Sequence, residues 1–373
     1  MSETLQFKNI NKIPSLTWNW LKMNRDSVQI TEPTFFEPEI SMLPKGFSMI
    51  SEGVVDFQKF PALASSVGEE FSDYLEKNIF KDISQIIILE GSAESPFVIS
   101  FDYSENNAKT KRNASSLASS QIIYAKKDSE GTVIFLYTGK DSSKIDSIIR
   151  TKIYAEENAK LHIIKVQLLG KNQNQIDETS CSSSENSQIH FTQIELGGNH
   201  INSGLYTELL ESKAKFNSEF AFICKDSQYF DVNHSVIHKG SDTSTKMLVK
   251  GVVDGNATKT YRGTIDFKKG CHGAVGDEQE ETLLMSKTAV NKSLPIVLCD
   301  EENVSGTHGA TLGRLGEEEL FYMQSRGISE NEAKKMMTKA KILSVSNLIP
   351  DERTRTLIEE FLEITLKMRC FKS

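Results

Sequence analysis

His234 and His238 stand four apart in FDVNHSVIHKG. On a helix that spacing would bring both imidazoles to one metal ion. The segment reads as a strand instead, where four residues span about 13 Å, so structural or surface roles are expected. Cys271 and His272 are adjacent, and on a strand adjacent side chains face opposite ways, which makes them a poor chelate. The five cysteines (Cys181, Cys224, Cys271, Cys299 and Cys370) are scattered singly without a CxxC. They read as free thiols in a reducing compartment, not as a disulfide framework. The acidic runs at 277–281 and 317–319 could draw cations, but a solvated face is the expectation. Tyr261-Arg262-Gly263, inside KTYRGTIDF, reads as an ordinary strand with one small residue and no assigned chemistry. No GxxxxGK[ST] phosphate loop, GxSxG elbow or HExxH pair occurs, so the chain is expected to be non-catalytic.

The elements that must position these residues fall into three zones: 1–82, 83–314 and 315–373. A length of 373 residues favours two or three structural units. In the first zone, apolar positions within 56–80 recur at spacings of three and four, which argues for helix. In the second, apolar and polar residues alternate, as in FVISFDYS, and Gly/Asn turn clusters punctuate the runs. Many short strands over such a length suit a barrel, a sandwich or a β-solenoid. The polar stretches ENNAKTKRNASSLASS (105–120) and DETSCSSSENS (177–187) are expected to be exposed loops. The third zone reads as three helices. One covers 317–326 with Gly327 just beyond it. A second is opened by a Ser329/Glu332 capping box and carries Ala333, Met336, Met337 and Ala340. A third opens at Asp351-Glu352, with an apolar stripe of Leu357, Phe361, Ile364 and Met368. The net charge of −8 disfavours nucleic acid and anionic membrane as partners. The opening MSETLQFKNINKIPSL has no apolar core of a secretory leader, and no run of roughly 18 apolar residues occurs. The cytoplasm is the expected location.

From residue 282 the chain reads TLLMSKTAVNKSLPIVLCDEENVSGTHGATLGRLGEEELFYMQSRGISENEAKKMM. LLMSKTA, the strand around Pro295, HGATLGRL and LFYMQSRGIS, in that order, resemble the C-terminal signature of the SufB/SufD family. The preceding HSVIHKGSDTSTKMLVKGVVDGNATKTYRGTI is similar to the core of the same family. The resemblance implies a right-handed parallel β-helix core (83–314) with N-terminal (1–82) and C-terminal (315–373) α-helical regions. It also implies a scaffold of the SUF iron–sulfur cluster assembly complex, partnered by SufB-like and SufC-like subunits, with the ATPase in the SufC-like one. The chain looks most like SufD. Ala289 stands where SufB-type chains carry a cysteine, and His308-Gly309-Ala310-Thr311 stands where they tend to read HEAT. His308 then maps onto a candidate ligand for a transient iron–sulfur cluster at the interface with SufB. Gly306 stands where SufD-type chains often have a cysteine, and Cys299 could approach His308 only if the chain turns between them. Phe321, Tyr322, Arg326 and Gly327 are candidate contacts for the SufC-like partner. No tightly bound cofactor is expected in the isolated chain, and a homodimer is expected when it is alone. Alternatives are a SufB-like homodimeric scaffold and a β-helix carbohydrate-active enzyme, which would need paired carboxylates along one face.

Overall fold

The computed structural model describes residues 4–15, 19–40, 42–50, 62–80, 85–104, 115–314 and 317–367. The chain opens with an antiparallel pair, β1 (Thr4–Ile10) and β2 (Asp26–Thr31). Short strands β3 (Thr34–Phe35), β4 (Glu39–Ile40) and β5 (Phe47–Ile50) follow, then helix α1 (Glu69–Asn78). Sixteen further strands run to residue 314: β6 (Gln85–Leu89), β7 (Phe97–Asp102), β8 (Ser116–Ala125), β9 (Glu130–Thr138), β10 (Asp146–Ala155), β11 (Lys160–Leu168), β12 (Gln175–Ser183), β13 (Gln188–Glu195), β14 (His200–Leu209), β15 (Lys215–Cys224), β16 (Tyr229–His238), β17 (Ser244–Val253), β18 (Thr258–Phe267), β19 (Val275–Leu284), β20 (Val290–Cys299) and β21 (Ser305–Arg314). Three helices close the described chain: α2 (Glu317–Ser325), α3 (Glu330–Ser346) and α4 (Glu352–Lys367).

Even-numbered strands from β6 to β20 stack into one sheet and odd-numbered strands from β7 to β21 into the other. Every pair within these two series is parallel. This is a parallel β-helix. Residues about one turn apart lie over one another, as Lys160 over Glu130 and His190 over His162. The corner from the even to the odd sheet needs a left-handed residue, and Asp128, Asn158, Asn186 and Asp242 supply it with φ of 53–58°. Asn and Asp tolerate that region because their short polar side chains bond locally. Here they also bond one another up the stack. Asn158 Nδ2 donates to Asp128 Oδ1 at 2.8 Å, and Asn186 Nδ2 to Asn158 Oδ1 at 2.7 Å. The recurring strand-then-Asn/Gly signal is this ladder of corners.

Alternate residues of each strand enter the lumen. Its early turns are apolar, with Phe97, Phe101, Phe135, Ile149, Ile163 and Phe191 in one buried cluster. The outer faces are covered by the two ends of the chain. β1, β2 and α1 lay Phe7, Val28, Phe71 and Leu75 on Ala118, Ile148 and Ile176 of the even sheet. Burial of side chains such as Phe71 and Leu75 contributes about 1.5–3 kcal/mol each. α3 and α4 lay Ile342, Val345, Ile358 and Leu362 on Ile164, Val166, Ile194 and Ala221 of the odd sheet.

Several sequence expectations change here. The helix expected within 56–80 occupies Glu69–Asn78. Residues 62–68 run flat over β14, where Gly204 lets Ser66 approach its backbone, and 51–61 lie outside the described residues. The rest of the described N-terminal region is mostly short strands. Residues 177–183, expected in a loop, are the buried strand β12. Inward Asp177 meets Lys165 Nζ, which also bonds Thr179, while outward Glu178 takes the hydroxyls of Ser65 and Ser72. Residues 116–120 belong to β8, and 105–114 lie outside the described residues. On α4 the buried face is Ile358, Leu362 and Leu366, not the stripe read from spacing. Leu357 and Phe361 are half-buried, Ile364 is exposed, and Met368 lies outside the described residues. On α3, Ala333 is buried but Met336 and Ala340 are exposed. The capping box at Ser329 and Glu332 is present, and Gly327 follows α2 at φ 85°.

Candidate functional site

β20 and β21 are the last strands of their sheets, and no described strand pairs with their outer edges. Ten residues of backbone on each strand therefore stand open. Natural sheet edges are usually covered or blunted because they template pairing with another chain. Pro295 is tolerated in β20 because an edge strand does not need every N–H. Val290, Val297 and Leu312 are exposed at this end.

His308 lies on β21, opposite Glu278 of β19. The same register row continues to Met247, Ser218 and Phe191, and Met247 and Phe191 belong to the lumen core. By parity the His308 side chain stands on the inner row, at the open mouth of the lumen, and it is exposed. Cys299 ends β20, and the chain turns through 300–304 before β21 begins, so the two strands do lie on successive faces of the coil. Cys299 is exposed, with its Sγ 3.0 Å from the Glu301 carbonyl. The space at Gly306 is bounded by Phe267 and Val297.

Behind His308 the lumen is polar. The run 277–281 is split by strand alternation: Asp277, Gln279 and Glu281 face outward, while Glu278 and Glu280 turn inward, each about 2% exposed. Glu280 forms a buried ion pair with Lys259 at 2.7 Å and accepts from Thr282, Ser293 and Asn291. Burial alone would raise its carboxyl, but the Lys259 ammonium and those donors hold it below the usual range. Glu278 has no such counterion. Burial first, and then the charge of Glu280, push its carboxyl up to about 8. Its Oε2 has no hydrogen-bond partner among the described residues. Gly263 makes room for it, since a Cβ there would lie 2.1 Å from Glu278 Oε1. One turn further in, His234 is buried with both ring nitrogens unpartnered among the described residues, and burial lowers its pKa to about 3. Among the described residues, no three of His, Cys, Asp and Glu converge as a metal site.

A family profile described as SUF system FeS cluster assembly, SufBD core domain, matches residues 106–341. The chain belongs to the SufBD family. A SufBD family iron–sulfur cluster assembly protein of Mycobacterium leprae (strain TN) is 30% identical over 127 residues, which cover 34% of this chain and 15% of that one. The SufB iron–sulfur cluster assembly protein of Bacillus subtilis (strain 168) is 31% identical over 125 residues, 34% of this chain and 27% of its own. A SufBD family protein of Trieres chinensis is 25% identical over 341 residues, 88% of this chain and 68% of its own. The chain thus spans only a fraction of the M. leprae and B. subtilis relatives. The SufBD core profile covers β8 through most of α3, and so contains the open end and His308.

The other residues singled out by sequence are placed apart from this mouth. His238 is buried on β16, its Nδ1 2.7 Å from Thr243 Oγ1, with burial lowering its pKa to about 4. Cys271 and His272 occupy a turn, not a strand, with Cys271 inside the core. Phe321 and Tyr322 are 73% and 60% exposed on α2, and Arg326 lies 5.4 Å from the Tyr322 ring centroid. Sequence reasoning missed Lys259, Glu278 and Glu280. The alternation of KTYRGTIDF and of GDEQEETLL held the signal, had both strands been read as lumen-lining. No described helix is long and apolar enough to cross a membrane.

Proposed function

We propose that this SufBD family protein acts as a SufD-like scaffold in SUF iron–sulfur cluster assembly. On this reading it pairs with a SufB-like chain through the open edges of β20 and β21. The observation that carries the proposal is His308 on the inner row of β21, whose outer edge no described strand pairs. A neutral imidazole is a competent ligand for iron and replaces thiolate at some iron–sulfur centres. With no three-ligand cluster among the described residues, the remaining ligands would come from the paired chain. The cluster is cargo here, not a resident cofactor. The exposed Phe321 and Tyr322, with Arg326 and Gly327 at the end of α2, are the proposed contact for a SufC-like ATPase. Ala289, half-buried in the turn before β20, offers no thiolate, which favours SufD over the SufB-like homodimer. The family match leaves the carbohydrate-active alternative without support.

The test is coexpression with SufB-like and SufC-like subunits. The three chains are expected to copurify, and His308→Ala is expected to lower cluster assembly, read from visible absorbance, without dissolving the complex. Failure to bind both partners would remove the SufD reading, and unchanged assembly by His308→Ala would remove the histidine from it.

A further inference from the structure

A second concave site lies on the outer face of the even sheet, away from the open mouth. It is a cavity of about 690 Å³. Residues 65–70 and the Asn9–Pro14 side of the N-terminal segment wall it, and β14, β16 and β18 form its floor. Outward parity places Asn233, Ser235, Thr264 and Asp266 on that floor, with Ser235 opposite Thr264 in register. Three of their atoms have no hydrogen-bond partner among the described residues: Asn233 Oδ1, Thr264 Oγ1 and Asp266 Oδ1. Their residues are 6%, 1% and 6% exposed. Three unpartnered buried polar atoms on adjacent strands of one cavity floor give a ligand polar groups to meet.

The chemistry of these atoms narrows the occupant. An amide oxygen and a carboxylate oxygen accept only, and a threonine hydroxyl does either. The occupant must bring at least two donors, which rules against phosphate or carboxylate ligands. A cationic ligand is not called for either, because Asp266 already pairs with Lys268 at 2.8 Å and Glu208 with Lys239 at 2.8 Å. Tyr206, its hydroxyl held by Glu208 at 2.8 Å, adds a half-buried aromatic surface to the lining. Acceptors spaced about 7 Å along β18 and on the neighbouring strand, beside an aromatic ring, suit hydroxyls spread over a sugar ring. We propose that this cavity binds a neutral, hydroxyl-rich ligand, either a free saccharide or the ribose of a nucleoside.

The test uses the full chain and saturation-transfer NMR with ribose, glucose and adenosine as probes, each beside its 2-deoxy counterpart. Saturable binding is expected, with the deoxy compounds about tenfold weaker because a donor is missing. Preference for adenosine over both sugars would identify a nucleoside, and the reverse a saccharide. Thr264→Val and Asp266→Asn are each expected to weaken binding about tenfold, and Thr264→Val is expected not to lower the melting temperature, because it removes an unpaired buried hydroxyl. No transfer to any probe, or equal transfer to the deoxy compounds, would overturn the proposal. So would binding unchanged in both variants.

Discussion

Arg262 is fully buried, and its loss should loosen the N-terminal segment from the coil. Its Nη1 and Nη2 donate to both oxygens of Asp231 at 2.7 and 2.9 Å, and its Nε donates to the Met23 carbonyl. Asn11 Nδ2 donates to Asp231 Oδ1 and to the Asp231 carbonyl, each at 2.8 Å. One guanidinium and one carboxylate thus fasten the N-terminal segment to the outer face of β16 and β18. Arg262→Met keeps much of the stem but leaves Asp231 buried without a counterion. Burial already raises the Asp231 carboxyl, and Arg262 is the main charge opposing that rise. In the variant the carboxyl takes a proton. Protonating a group of ordinary pKa near 3.9 at pH 7 costs about 4 kcal/mol, within the range for breaking a buried pair. Because the folded variant holds that proton and the unfolded chain does not, the cost falls with pH, to about 1.5 kcal/mol at pH 5. Urea unfolding followed by circular dichroism measures it. Adding Asp231→Asn should recover about 3 kcal/mol at pH 7. A cost below about 1 kcal/mol at pH 7, or an equal cost at both pH values, would refute the reasoning.

Acid should destabilise the fold through its buried imidazoles. Burial lowers His162 and His234 to about 3 and His238 to about 4. Their stabilisation is complete above the unfolded value near 6.5 and is lost as pH falls from there toward the folded values, about 2 kcal/mol per site by pH 5. Burial raises Glu195 and Glu278 to about 8, which acts in the opposite sense: they gain stability as pH falls from 8 toward 4.5. Urea midpoints should therefore be nearly flat from pH 7 to 5 and drop steeply below it; a midpoint rising continuously toward pH 4 would contradict this. Gly204→Ala would place a Cβ 2.6 Å from the Ser66 carbonyl. It should cost about 2–3 kcal/mol and speed proteolysis within residues 62–68, whereas an unchanged digestion pattern would show that the crossing segment yields freely.

The β-helix was legible where the signal is local. The Asn and Asp corners recur because each supplies its own left-handed residue, and the Ser329–Glu332 cap is complete within four residues. What stayed hidden was burial decided by a distant partner. Asp177 looks like loop in a serine-rich stretch until Lys165, 12 residues earlier, faces it across the lumen. Glu280 looks solvated until Lys259, 21 residues earlier, is found opposite. The α4 stripe was misjudged because the supporting surface, Ile164 to Ala221, belongs to a sheet formed far upstream. His308 was found through a resemblance in its flanking residues; its place on the inner row became readable only with the register of β19 and β21.

The two ends of the coil are finished differently. At the first end, β5 and β4 run antiparallel against β6 and β7 and close each sheet. At the other end nothing described plays that part. In a coil held by contacts between neighbouring turns, stability propagates from turn to turn, and an uncapped turn lacks half its neighbours. Opening should therefore begin at β20 and β21 and travel inward, as a gradient of amide exchange along the axis. The residues nearest His308 would be the first to breathe, and any chain that seats on those edges completes the folding of the last turn as it binds.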